Sequence, residues 1–308
     1  MISSFFNRAK PINFLLISLY MGFFYWITQF YLYDTVWNVP VFFSCSVFFF
    51  VILFSVFIVN FIIRKNALCE GNSYAVLLYV LFLCLFPQIF RSTEIVMANF
   101  FVLLALRRVI SIRSLIQIRQ KIFDASLWIC VASLFYEWAL LFLIVVFASI
   151  IVYRLGDYRN WLVPFVAMFT VAILLFTYAI WFTGMDWFVE IFRFSVNFYS
   201  IKTKTIGFIL PMVLIAFFSL ISLVAFMANY KAKPSVVQSA LLLVVIALFA
   251  GAGIAAVSNN RESDEVVFAF FPASVLITNY LQLISKRWWK ESVLWLFLIL
   301  PVLLLFVS

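Results

Sequence analysis

Long apolar runs separated by short polar clusters recur along the whole chain. A membrane hydrocarbon core needs roughly 20 mainly apolar residues for each helix that crosses it, and many of these runs approach that length. The runs are continuous and lack the alternation of a β-barrel strand, so they predict helices. The predicted spans are residues 12–32, 40–62, 73–89, 94–106, 122–136, 138–153, 160–183, 206–229, 235–256, 266–284 and 291–307.

The overall composition points to the same structural class. Hydrophobic residues make up 67% of the 308 residues and charged residues 11%, whereas a soluble domain is typically about half apolar and a quarter charged. No stretch has the length or polarity of a separate soluble domain. The sequence therefore predicts an all-α, polytopic transmembrane helical bundle of about eleven spans, forming a single integral membrane domain over residues 1–308.

One stretch leaves the number of spans open. Between Asp124 and Arg154, Glu137 is the only charged residue. The stretch is either one long tilted helix with a buried carboxylate or a hairpin with Glu137 at its outer tip. The hairpin keeps the later basic clusters on the same side as the earlier ones, so it is the preferred interpretation, with nine or ten spans as alternatives.

The distribution of charge predicts how the bundle is oriented. If the N-terminus is cytoplasmic, most of the 21 basic residues fall in inner segments, including Arg64, Lys65 and Lys286, while most of the 12 acids fall in outer ones. This is the bias of the positive-inside rule. The net charge of +9 is then largely a cytoplasmic-face charge, which suits membrane lipids as partners rather than nucleic acid.

The chain lacks the residues that several kinds of metal site require. It contains no histidine, which removes His-ligated metals, haem ligation by His and His general bases. Cys45, Cys84 and Cys130 lie in apolar runs and Cys69 in a short loop, without metal-type spacing, so they are interpreted as packing residues. No cofactor motif is present, so these residues leave the cofactor unknown.

Acidic residues at the outer ends of different spans are the candidate functional residues. A carboxylate beside hydrocarbon is costly unless it is paired, hydrated or coordinated, which favours a function for Glu94 and Glu137. The alternative for Glu94 is a local ion pair with Arg91, and that for Asp34 is a solvated loop acid. The outer segments carry these acids: Asp34, Glu94, Glu137, Asp186 and Glu190.

This arrangement resembles the outward-facing catalytic rim of GT-C class membrane glycosyltransferases over roughly residues 12–183. The similarity lies in the acid after the first span and in RSTEIVMANFFVLLALRRVISI, KIFDASLWICVASLFYEWALLFLIVVFASIIVYR and DYRNWLVPF. Many such enzymes have two acids in the first outer loop, and this chain has one there. The resemblance implies sugar transfer from a polyprenyl-phosphate donor at the outer face.

Residue roles follow from that resemblance. Asp34 would act as general base or help to hold a divalent cation, and Glu94 and Glu137 would orient the site, which makes these three the predicted catalytic residues. Cationic side chains would neutralise the donor phosphate. The predicted substrate-binding residues are Arg91, Asp186, Glu190, Arg193 and Arg261.

A second resemblance covers the whole chain. The opening MISSFFNRAKPINFLL, with Lys-Pro-Ile-Asn-Phe before the first span, is similar to an uncharacterised family of polytopic inner-membrane proteins of Bacteroidetes bacteria. It implies a location in the bacterial inner membrane and brings no established activity.

Two further hypotheses compete with the enzyme. The first is a non-enzymatic membrane subunit or scaffold of an envelope assembly or export system, in which the small residues around Gly251 and Gly253 form a packing face. Close packing within the chain is the favoured interpretation of those residues. The second is a proton-coupled transporter using Glu137, although no internal repeat is apparent. The enzyme hypothesis predicts that Asp34, Glu94 and Glu137 converge on one outward cavity.

Overall fold

The computed structural model describes residues 2–32, 38–184, 186, 206–257 and 264–307, and they are overwhelmingly helical without a strand. Its α-helices are α1 (Ile2–Phe6), α2 (Pro11–Ile27), α3 (Val39–Lys65), α4 (Tyr74–Leu85), α5 (Thr93–Ser111), α6 (Ile118–Phe135), α7 (Leu143–Val152), α8 (Arg159–Tyr178), α9 (Ile206–Ala228), α10 (Ser235–Val257), α11 (Val267–Leu283) and α12 (Arg287–Val307). Short 3₁₀ turns include Pro87–Phe90, Glu137–Phe142 and Asp264–Val266.

Eight of these helices, with their adjoining turns, are long and apolar enough to cross a membrane. The chain is thus a multi-pass, all-α membrane protein, and the predicted fold class is confirmed. The other three predicted spans coincide with α4, with α6 and with the shorter segment Glu137–Val152. The total of eleven crossings stays a prediction.

Helix boundaries follow local chemistry that is visible in the sequence. At the start of α3, the Asn38 side chain accepts a hydrogen bond of 3.0 Å from the Val41 amide, and a proline occupies the first turn, where its missing N–H has no cost. Arg64 and Lys65 lie in the last turn, where cations interact favourably with the helix dipole. A 27-residue helix therefore begins and ends at polar residues on either side of an apolar run.

The described residues fall into two compact units. The first comprises Met1–Thr93, Ser200–Gln238 and Phe270–Ser308, and the second comprises Glu94–Tyr199 and Ser239–Ala269. The core of the first unit is α4, in which all 12 residues are buried. Its Phe82 ring packs edge-on against Phe270 and Phe297, with centroids 5.8 and 5.2 Å apart.

The second unit has an apolar exterior. On α8, Leu162, Phe165 and Phe169 are all exposed, with 68% of Phe169 accessible. Such a contiguous apolar surface has no favourable contact with water, and it matches the acyl chains of a bilayer.

The second unit also contains a close contact between two helices. A Cβ on Gly251 of α10 would lie 2.8 Å from the Phe268 carbonyl group. Close packing within the chain, the favoured interpretation of the small residues, holds at this glycine.

Candidate functional site

Glu137 lies at the tip of a helical hairpin. The α6 helix stops at Tyr136, which has an extended backbone (φ −148°, ψ 110°), and Glu137 begins the 3₁₀ turn that leads into α7. The far ends of the hairpin meet: Arg119, near the start of α6, donates to Asp157 just beyond α7 over 2.6 Å. The chain therefore reverses at Glu137, as the hairpin interpretation predicts, and a single tilted helix is wrong.

Further contacts hold the base of the hairpin together. The Tyr153 hydroxyl donates to the Ile110 carbonyl of α5 over 3.4 Å. The backbone N–H of Arg159 and the Arg119 guanidinium keep the pKa of Asp157 below its usual range. Because that carboxyl stays ionised at neutral pH, the ion pair with Arg119 persists there. These contacts hold together the end of the hairpin that lies opposite Glu137.

A cavity of about 320 Å³ lies beside Glu137 between α6, the 3₁₀ turn and α8. Among the described residues that line it, Glu137 is the only charged one, and the others are apolar side chains together with Ser133 and Cys130. Four of the lining residues, Leu134, Phe165, Met168 and Phe169, are also exposed on the exterior. The cavity is consequently an apolar space that places one half-buried carboxylate at its edge.

A second acidic group was missed by the sequence predictions. Asp264 and Glu265, just before α11, are 2% and 0% exposed. The hydroxyl of Tyr136 donates to Glu265 Oε1 over 3.3 Å, and its ring stacks on Phe268 at 5.8 Å. Within the described residues, Glu265 Oε2 has no hydrogen-bond partner. The buried acid Glu265 therefore contacts Tyr136, the residue that immediately precedes Glu137.

The sequence contains a weak signal for this acidic pair. The stretch VSNNRESDE is polar and suggests a solvated outer loop, yet its last two acids directly precede an apolar run. Acids at the N-terminus of a helix are stabilised by the helix dipole. The place of Asp264 and Glu265 directly before the apolar run therefore links them to the start of the helix rather than to the solvated loop. Burial of this pair depends on tertiary packing around Tyr136, which the pattern of residues does not reveal.

The structure places the other predicted site residues as follows. Glu94 is exposed in the first turn of α5 and does not line the Glu137 cavity. Arg91 is exposed and lines a different cavity of about 180 Å³ in the first unit. Asp186 is exposed and helical. Asp34, Glu190, Arg193 and Arg261 lie outside the described residues.

Metal and cysteine chemistry adds no site to the described part of the chain. No group of three or more metal-ligating side chains is found among these residues. The four cysteines are free, and Cys69, Cys84 and Cys130 are buried. Burial raises the pKa of the Cys69 thiol to about 12, so this thiol is neutral and unreactive at physiological pH.

Comparison with known proteins gives one match. A family model described as a family of unknown function, DUF6427, covers residues 8–308. No curated protein and no solved structure matches the chain.

Proposed function

We propose that this chain, which belongs to the family of unknown function DUF6427, binds a membrane lipid in the Glu137 cavity and holds its headgroup for group transfer. The observation that carries the proposal is the single half-buried carboxylate at the edge of an apolar cavity of about 320 Å³. This places one strong hydrogen-bond acceptor beside a space suited to a hydrocarbon chain.

Lipid is the occupant that the surroundings of the cavity favour. Phe165 and Phe169 line the cavity and are also exposed on the apolar surface of α8. In a multi-pass protein such a surface faces acyl chains, so a lipid can enter from the side without crossing water. An aqueous transport path is disfavoured because the described lining is mostly apolar, with Glu137 as its one charged side chain.

The chemistry of Glu137 selects the headgroup. Glu137 places a hydrogen-bond acceptor beside hydrocarbon at the edge of the cavity, and a lipid hydroxyl is a donor whose position at the end of an apolar chain fits it. As general base, Glu137 would take the hydroxyl proton while the hydroxyl oxygen forms a bond to the anomeric carbon of a sugar. Polyprenyl phosphate would depart from that carbon with the bonding electron pair. Arg193 and Arg261, in segments that the sequence predicts to be outer, are the candidate cations for its phosphate.

The location and orientation form part of the proposal. Basic residues concentrated in alternate segments support a cytoplasmic N-terminus, and the resemblance of the opening residues to inner-membrane proteins supports a bacterial inner membrane. Glu137, which follows five predicted spans from the N-terminus, would then lie at the outer face, where polyprenyl-linked sugars are used.

A non-enzymatic subunit that binds lipid is the second candidate. Among the described residues, the Glu137 cavity includes neither Glu94 nor any other acid of the predicted set. Transfer reactions commonly use more than one polar group, so this isolation favours a subunit that holds a lipid for a partner protein.

The Glu137→Gln variant tests both candidates, with Asp124→Asn as the matched control. Asp124 lies on α6, the helix that leads to Glu137, and forms an ion pair with Arg108 at 3.1 Å, and it does not line the cavity. The purified proteins in nanodiscs are photolabelled with a diazirine-bearing long-chain alcohol. Loss of a charge-assisted hydrogen bond should reduce labelling of residues 130–140 and 165–175 by about tenfold, with the control unchanged.

Cells carrying the same variants separate the two functions. Accumulation of polyprenyl-linked sugar with Glu137→Gln supports the transferase. Reduced photolabelling without accumulation supports the lipid-binding subunit and rejects glycosyl transfer. If Glu137→Gln is labelled as strongly as the wild-type protein, the lipid site itself is wrong.

A further inference from the structure

Residues 2–13 form a fixed corner of the first unit. The Ser73 amide donates to the Phe6 carbonyl over 3.0 Å, and the Ala9 amide donates to the Gly71 carbonyl over 2.8 Å. The Ser3 hydroxyl donates to Glu291 of α12 over 2.7 Å. All these contacts lie within the first unit. The turn between α1 and α2 is therefore held from two sides.

A cavity of about 350 Å³ lies in this corner. Its lining combines two exposed cations, Arg8 and Lys10, with the apolar side chains of Phe5 and Ile12. Because α2 begins the first long apolar helix, the cavity lies where the chain enters the membrane. Phosphate groups of lipids occupy that depth, and cations there attract them.

Asn13 supplies an independent indication of a ligand. It lines the cavity and is 0% exposed. Its Nδ2 donates to the carbonyls of Phe5 and Arg8 over 3.2 and 2.7 Å, which determines which end of the amide is the acceptor. Within the described part of the chain, Asn13 Oδ1 has no hydrogen-bond partner. A buried acceptor of this kind needs a donor, and a ligand in the cavity can provide it.

We propose that this corner is a binding site for a phosphate ester whose headgroup also carries a hydrogen-bond donor. Arg8 and Lys10 neutralise the phosphate, and Asn13 Oδ1 accepts from a hydroxyl or ammonium group. The positive end of the α2 dipole adds to the attraction. Phe5 and Ile12 contact the apolar part of the ligand. A membrane glycerophospholipid and a free phosphate compound share this chemistry, and experiment distinguishes them. The site is independent of the Glu137 cavity.

The test uses the full-length protein and a variant that removes both cations, Arg8→Gln with Lys10→Gln. The probe is phosphatidylglycerol, counted per protein molecule by native mass spectrometry after extraction into a neutral detergent. The matched control is Lys231→Gln with Lys286→Gln, which removes two exposed cations of the same unit outside the cavity. We expect at least tenfold weaker retention in the corner variant and wild-type retention in the control.

Competition and a titration complete the experiment. If inorganic phosphate at millimolar concentration leaves the bound phosphatidylglycerol in place, the ligand is the lipid. If inorganic phosphate displaces it from the wild-type protein, and binds the corner variant more weakly, the site takes free phosphate. Equal losses in the corner and control variants would mean general surface charge and would overturn the proposal. Wild-type retention in the corner variant would overturn it as well.

Discussion

At the scale of single residues, Tyr136 is the point where backbone geometry and acid chemistry meet. Its extended backbone ends α6, and its hydroxyl is the donor to buried Glu265 at 3.3 Å. The neighbouring Glu137, in the stretch LFYEWAL, can be recognised from the sequence alone because it is a charged residue inside an apolar run. The role of Tyr136 is visible only once Glu265, more than a hundred positions later, is brought beside it.

Tyr136→Phe is expected to destabilise the protein. The substitution keeps the ring that stacks on Phe268 and removes the hydroxyl that donates to Glu265. Leaving a buried acceptor without its donor costs about 1–3 kcal/mol. The measurement is the midpoint of thermal unfolding in detergent micelles. Tyr158→Phe is the control, because Tyr158 is exposed and its substitution should change stability by less than about 0.5 kcal/mol. Equal unfolding midpoints for the two variants would show that the hydrogen bond from Tyr136 to Glu265 does not contribute to stability.

At the scale of elements, the apolar runs and the short polar clusters between them predicted where helices begin and end. Each of the eleven predicted spans coincides with a helix or a helical segment of the structure. The hairpin at Glu137 was predicted from the distribution of basic residues, because membrane orientation constrains the number of crossings. Burial within the bundle was not predicted: α4 is buried along its whole length, whereas α8 is widely exposed, although both are apolar.

The contact between α10 and α11 gives a prediction at this scale. A Cβ at position 251 would lie 2.8 Å from the Phe268 carbonyl and 2.9 Å from the Ala269 nitrogen. Backbone atoms cannot move aside as a side chain can, so Gly251→Ala should push the helices apart at a cost of about 1–3 kcal/mol. Gly253→Ala is the matched control on the same helix, because nothing lies within 4 Å of its added Cβ.

Thermal unfolding of the two glycine variants provides the measurement. The control should be as stable as the wild-type protein or slightly more stable, since alanine favours helix over glycine by about 1 kcal/mol. A Gly251→Ala protein as stable as Gly253→Ala would contradict the close approach of α10 to the start of α11.

At the scale of the whole molecule, the distribution of charge predicts which side of the membrane each segment occupies. Asp186 and Lys286 are separated by three predicted spans, so they should lie on opposite sides. Both are exposed in the structure, which makes each position suitable for chemical labelling.

Labelling of introduced cysteines tests the orientation. Asp186→Cys and Lys286→Cys are made separately in a Cys45→Ala background, because Cys45 is the one cysteine that is not buried. A membrane-impermeant maleimide added to intact cells should label position 186 and should not label position 286. Both positions should react after the membrane is disrupted. Labelling of position 286 alone in intact cells would reverse the orientation and remove the outer-face site.

The sequence by itself determined the class of the protein, the limits of its helices and the expected side of each segment. These properties follow from transfer of apolar side chains into hydrocarbon and from the cost of moving charges through it, and both depend on residues close together in the chain. Tertiary structure alone decided that Glu137 borders an apolar cavity, that Glu94 does not share it, that Asp264 and Glu265 are buried, and that Glu265 contacts Tyr136. Those features depend on which helices pack together. The apolar faces of the helices resemble one another, so the sequence alone is compatible with several ways of packing them.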